Sequence, residues 1–210
     1  RLGAAIHART GLTGPLERSA EDRFEKLVPE NKRAQSRHRI EHAQIVSPKD
    51  IPRFASLHVL PAMQAVHATS DKNMAGDRLG VARLRGAYAW RSFIDQGSFI
   101  VGGSDFPVEL ANVFHGLHAS VTRQDHDNHP AGGWLPEQRL TLTEALRSFT
   151  VDAAYGAFQE QSMGTLMPGS WADFILIDRD IFNIAPEQLW QVEVEQTYVN
   201  GKQQFKHGGE

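Results

Sequence analysis

Three side chains able to support metal-assisted hydrolysis each close a short apolar run. They are His7 in residues 2–8 (LGAAIHA), His42 in residues 39–43 (RIEHA), and Asp105 just after residues 98–102 (SFIVG). A neutral imidazole and a carboxylate suit zinc and related divalent ions, whose bound water becomes a nucleophile near neutral pH. A neighbouring aspartate can take a proton from that water and return it to a leaving amine. Singly, each residue has a plainer reading. A strand-end histidine is more often a hydrogen-bonded structural residue, and Ser-Asp-x-Pro is good turn chemistry. None of the three forms an i,i+4 pair. What distinguishes them is recurrence at equivalent ends of successive runs.

Those runs alternate with helical patterns, as a parallel α/β fold requires. Residues 2–8, 39–43, 57–64 and 98–102 read as strands. Between them, residues 18–27 form a charged helical stretch closed by Pro29. Ser47-Pro48 offers an N-cap and a first-turn proline, and residues 81–96 carry helical apolar spacing through Leu84, Tyr88 and Phe93 with Gly97 as a stop. Residues 112–121 are expected to be helical, and 123–139 form a long polar loop of the kind that tends to be functional. A capping box, Thr141 to Glu144, opens a helix over 141–155. From Gly164 onward strands take over at 171–178 and 195–205, and Asn200-Gly201 is a strong hairpin signal. Four strand-helix units are half of an eight-fold (β/α) barrel, whose strand C-termini converge on one active site. The expected fold is therefore α/β: a partial TIM-like barrel over 1–162 and a small β-rich segment over 163–210.

Composition excludes several classes. The 210 residues carry a formal net charge of -3, which argues against a nucleic-acid surface. No apolar run approaches the roughly 20 residues that span a bilayer, so no membrane partner is expected. Zero cysteines rule out disulfides and thiolate catalysis, so a metal would need the ten histidines and the carboxylates. That fits a cytoplasmic enzyme and is compatible with the periplasm. Neither G-x-S-x-G, a P-loop nor G-x-G-x-x-G is present.

Residues 37–44 (RHRIEHAQ), 103–109 (GSDFPVE), 141–155 (TLTEALRSFTVDAAY) and 164–178 (GTLMPGSWADFILID) resemble the amidohydrolase superfamily. The nearest branch is amidohydrolase family 3, which includes N-substituted formamide deformylase-like enzymes. The resemblance implies that His42 is the metal ligand ending the sixth barrel strand. Asp105 would be the eighth-strand ligand and proton shuttle, and His7 the fifth-strand ligand. It places Gln64 and His67 at the mouth of the seventh strand, where they contact substrate or simply pack. It also implies a divalent metal, zinc first, and a small-molecule substrate with a non-peptide C–N bond.

Two departures stand out. The family's first-strand H-x-H pair and its fourth-strand lysine or acid have no counterpart before His7. Ala8-Arg9 also stands where the family tends to have Gly-Asp. The chain is thus expected to be a C-terminal portion with an incomplete site, inactive alone, whose partner is a missing N-terminal half or a second copy. The competing expectation is a degenerate half-barrel acting as a structural or interaction unit. Three further features are open: the His126/His129 loop as a cation site or solvated surface, Trp134 as a lid or subunit contact, and Arg123 and Arg139 as carboxylate binders or ordinary surface charges.

Overall fold

The computed structural model describes residues 5–7, 22 and 35–209. The reading of 18–27 as a helix lies outside the described residues, except for Asp22, which accepts a 2.7 Å bond from Arg53.

Four strands form one parallel sheet in the order β1 (Ala5–His7), β2 (Arg39–Glu41), β3 (Leu60–Gln64), β4 (Val101–Gly103). Register pairs His7 with Glu41, Glu41 with Ala62, and Ala62 with Val101. All four chains therefore run out at the same rim. β3 is buried along its whole length, as a strand covered on both faces must be.

Helix α1 (Ile51–Leu57) starts four residues after the sequence-expected Ser47 cap. Residues 48–50 are turns, and the Ser47 carbonyl accepts from Asp50 and Ile51 instead. Helix α2 (Ala65–Leu79) follows β3 with no loop, Gln64 serving as both last strand residue and N-cap. The helix expected over 81–96 is broken. Leu84–Gly86 is a 3-10 turn and only Trp90–Asp95 (α3) is α-helical. The break has a tertiary cause. Segment 84–88 docks on 44–46 through Val46 N–H to Gly86 O at 2.9 Å and Tyr88 N–H to Gln44 O at 2.6 Å. A Cβ at Gly86 would sit 1.7 Å from the Val46 carbonyl oxygen, so only glycine permits this approach.

Helix α4 (Val113–Thr122) is capped by the Asn112 side chain, which accepts from Phe114 N–H at 3.0 Å. The capping box at Thr141 and Glu144 forms as the sequence requires. The helix it opens divides at Thr150 into α5 (Leu142–Phe149) and α6 (Val151–Gly156). The core gathers Phe54, Phe93, Trp90 and Leu117 at 1% exposure or less, with Phe54 and Phe93 edge-to-face at 4.8 Å. A second, antiparallel sheet holds β5 (Phe174–Ile177), β6 (Val194–Val199) and β7 (Lys202–Lys206). Asn200 and Gly201 turn the β6–β7 hairpin with φ of 50° and 72°, the positive pair that a type I′ turn needs.

No helix among the described residues is long and apolar enough to cross a membrane.

Candidate metal centre

The common rim of the parallel sheet carries the chemistry. His42 stands one residue past β2 and Asp105 two past β4. Both hold left-handed backbone, with φ of 71° and 58°. For non-glycine residues this conformation is costly, and such residues cluster at functional sites. β1 brings His7 to the same rim, in register with Glu41; its side chain lies outside the described residues.

His42, His67 and Asp105 each offer one ligand atom within 4.8 Å of the others. Two ligands of one tetrahedral zinc stand about 3.4 Å apart, as bonds near 2.1 Å imply. Asp105 is exposed, His42 half-buried and His67 buried. His67 reaches the rim because α2 begins directly at β3, which sets its third residue one turn above the strand end. The His42 and His67 rings stack with centroids 5.7 Å apart.

The surrounding groups orient these rings. His42 Nδ1 lies 2.9 Å from Gln64 Oε1. An amide oxygen only accepts, so Nδ1 carries the proton and Nε2 keeps its lone pair, the orientation that outer partners impose on ligating histidines. His67 faces a different network. Its Nδ1 is 3.5 Å from Gln44 Nε2, and that nitrogen is 3.4 Å from both Asp71 Oδ2 and Tyr88 Oη. Tyr88 Oη also donates to Asp71. His67 Nε2 is sealed from solvent with no hydrogen-bond partner. Burial pulls the His67 pKa below the usual imidazole range, against the opposing pull of Glu109. Burial, and then the bond to Asp71, push the Tyr88 phenol above its ordinary value. The loop after Asp105 is tied down by Ser70, whose hydroxyl donates to Glu109 at 2.7 Å. Phe106, Val108 and Leu110 around it are exposed.

Among the described residues, the structure groups two of the sequence-read ligands, His42 and Asp105, and sets both sequence-read pocket residues beside them. Gln64 touches His42 and His67 completes the cluster. Sequence reasoning missed Gln44, Asp71, Tyr88 and Glu109. Gln44 and Glu109 sit inside the RHRIEHAQ and GSDFPVE stretches, so motif membership was the available signal.

Three other features that the sequence left open are placed as follows. Arg123 is not available to a substrate carboxylate. It is fully buried, donating to the Trp134 and Tyr88 carbonyls at 2.8 and 3.0 Å. Arg139 bonds the Thr122 and Gly132 carbonyls. Trp134 packs edge-to-face on Tyr88 at 5.5 Å, and His126 stacks on Trp190 and meets His115 edge-on at 4.2 Å.

A parallel strand–helix sheet with an imidazole–carboxylate cluster on its C-terminal rim has the site geometry of the metal-dependent hydrolases. The family model of the amidohydrolase family matches residues 2–205, and the chain belongs to that family. It is 31% identical over 189 residues to protein LONG AFTER FAR-RED 3 of Arabidopsis thaliana, covering 88% of this chain and 31% of that protein. To the putative amidohydrolase YtcJ of Bacillus subtilis (strain 168) it is 32% identical over 179 residues, 85% of this chain and 33% of that one. To the N-substituted formamide deformylase of Arthrobacter pascens it is 27% identical over 119 residues, 57% and 21% of the two chains. An uncharacterized metal-dependent hydrolase from Pyrococcus horikoshii OT3 superposes with a TM-score of 0.71 at 26% identity, over 87% of this chain and 35% of that one. The chain thus spans about a third of the length of the first two relatives.

Proposed function

We propose that the chain is the C-terminal part of a metal-dependent hydrolase acting on C–N bonds of small molecules, of the non-peptide amide or formamide type. The supporting observation is the convergence of His42, His67 and Asp105 on one rim within 4.8 Å. In this reading the parallel sheet is the last half of a TIM-like barrel, residues 1–162, and residues 163–210 belong to a β-sandwich appendage. His42 through Nε2 and Asp105 through its carboxylate hold the ion, with His7 from the neighbouring strand as the third ligand. Two imidazoles and a carboxylate suit zinc. When bound, such an ion supplies Lewis acidity and an activated water. Asp105, exposed at the cluster, accepts the proton released by the attacking water and returns it to the departing nitrogen. Gln64 holds the His42 ring in place, and His67 faces the substrate.

The open side of the site supports the partner expectation. β4 ends the sheet among the described strands, and Phe106 and Val108 beside Asp105 are 66% and 68% exposed. An unpaired edge next to exposed apolar side chains calls for cover. An N-terminal half or a second copy would provide it and add the remaining ligands.

The test is zinc retained after equilibrium dialysis of the full-length protein that carries this chain, and of its His42→Ala and Asp105→Ala variants, paired with hydrolysis of a panel of N-substituted formamides. One zinc per site, lost in both variants along with hydrolysis, is expected. Equal zinc in all three proteins would remove the basis for the proposal.

A further inference from the structure

His42 and His67 stack side by side, yet their hydrogen-bond partners give them opposite protonation patterns. Asp71 governs the His67 side. A carboxylate only accepts, and Asp71 Oδ2 already accepts a hydrogen bond from the Tyr88 hydroxyl. The Gln44 amide atom that faces it at 3.4 Å must therefore be the NH₂ and not the oxygen. The same NH₂ group lies 3.5 Å from His67 Nδ1. Its two hydrogens face three acceptors, since Tyr88 Oη is also 3.4 Å away; an amide nitrogen can only donate, so Nδ1 faces it better with its lone pair than with an N–H. A doubly protonated ring would set N–H against N–H at this contact. The neutral ring thus carries its hydrogen on Nε2, the atom that is buried and lacks a partner. His42 is the reverse case: the oxygen of Gln64 takes Nδ1–H and leaves Nε2 bare.

We propose that His67 is not a ligand of the metal centre. Its Nε2–H is a donor aimed at the carbonyl oxygen of the substrate, and Gln44 and Asp71 are the positioning residues that hold that tautomer. The substrate class comes from the hydrolase reading. It is a planar amide or formamide whose oxygen gains negative charge as the carbon is attacked, the situation in which one preorganised donor contributes about 10²–10³-fold in kcat. The substrate assignment rests on the hydrolase reading above; the tautomer rests on the hydrogen-bond network alone. A buried N–H without a partner is costly in a resting protein, and a ligand carbonyl would satisfy it. Tyr88, anchored at Gln44 O through its backbone N–H and at Asp71 through its hydroxyl, closes the network from the far side.

The experiment is long-range ¹H–¹⁵N correlation of the imidazole rings in histidine-labelled protein, metal-free at neutral pH, with His67→Gln and His42→Gln used for assignment. Expected are His67 as the Nε2–H tautomer and His42 as the Nδ1–H tautomer. Gln44→Glu puts an oxygen against His67 Nδ1 and should flip His67 to Nδ1–H. Asp71→Asn, a milder change, frees the Gln44 amide to rotate and should give a mixture. Zinc titration adds an independent readout: His67→Gln should bind zinc within threefold of the unaltered protein, whereas His42→Gln should lose it by a hundredfold or more. His67 found as Nδ1–H in the unaltered protein, or a tenfold or larger loss of zinc affinity in His67→Gln, overturns the proposal. If the unaltered full-length protein, with its N-terminal half present, takes up no zinc and hydrolyses no formamide, the hydrolase reading fails instead, and the His67 tautomer alone then decides the hydrogen-bond assignment.

Discussion

Arg123→Lys keeps a positive charge and removes the shape that makes its burial tolerable. Arg123 is 0% exposed and has no carboxylate partner among its hydrogen bonds. Burial weakens its hold on its proton to about 9, still charged at neutral pH. Compensation comes from Nε to the Trp134 carbonyl at 2.8 Å and Nη1 to the Tyr88 carbonyl at 3.0 Å. The guanidinium plane also lies over Trp90 at 4.1 Å and Trp134 at 5.4 Å. A lysine ammonium is more strongly hydrated, reaches one carbonyl at most and cannot stack as a plane. Losing one charged hydrogen bond costs about 1.5–3 kcal/mol, and weakening the desolvated cation–π contacts costs about 1–2 kcal/mol more. The expected destabilisation is therefore about 3–5 kcal/mol. At about 2–4 °C per kcal/mol for a chain of this size, Tm should fall by roughly 10 °C. Urea unfolding and a thermal scan of the two proteins measure this. The Trp134 carbonyl has no other partner among the described hydrogen bonds, so the long polar loop should lose amide-exchange protection first. A loss under 1 kcal/mol would mean that the carbonyl bonds and the indole stack contribute little, and would refute the reasoning.

Three further outcomes follow from other parts of the structure. His115 and His118 both have imidazole pKa values lowered, first by burial and then, for His115, by His126; for His118 the Asn128 bond opposes the shift, His126 adds to it, and Glu187 and Asp125 oppose it more weakly. The unfolded chain then binds more protons just below its ordinary value of 6.5, so stability holds above that pH and declines as pH falls through it toward the depressed folded values; urea midpoints should drop between pH 7.5 and 5.5, and His118→Gln should flatten the slope. Thr141→Ala removes the cap that accepts from Glu144 N–H at 3.3 Å, which should cost about 1 kcal/mol in urea unfolding; no measurable change would show that Arg91, which holds Glu144 down at about 2, carries the helix start alone. Gln64→Leu frees His42 Nδ1 and should weaken zinc binding about 10–100-fold by titration calorimetry without loss of folding stability; unchanged affinity would separate Gln64 from the metal centre.

The strand ends at His42 and Asp105 were readable because parallel strand–helix units repeat, and each repeat delivers its chain terminus to the same rim. The Thr141 cap and the Asn200-Gly201 turn were readable because their hydrogen bonds and backbone angles involve residues three or fewer apart. Helix 81–96 was misread for the opposite reason. Its apolar spacing suits a helix, but Gly86 lets the chain press against the Val46 carbonyl, and two backbone bonds to residues 44 and 46 outweigh local propensity. Gln64 and His67 were seen only as a strand mouth, since spacing along one chain does not show that α2 begins without a loop.

What sequence alone determined is what short range controls: the alternation of strands and helices, the caps and turns, and which chemically capable residues stand at strand ends. Tertiary structure alone decided which of them meet. The Gln44, His67, Asp71 and Tyr88 network joins residues up to 44 positions apart, and Arg123 reaches back 35 to Tyr88. Such pairs are set by sheet register and helix docking, where burial makes each polar atom find a partner, and no periodicity in the chain records that choice.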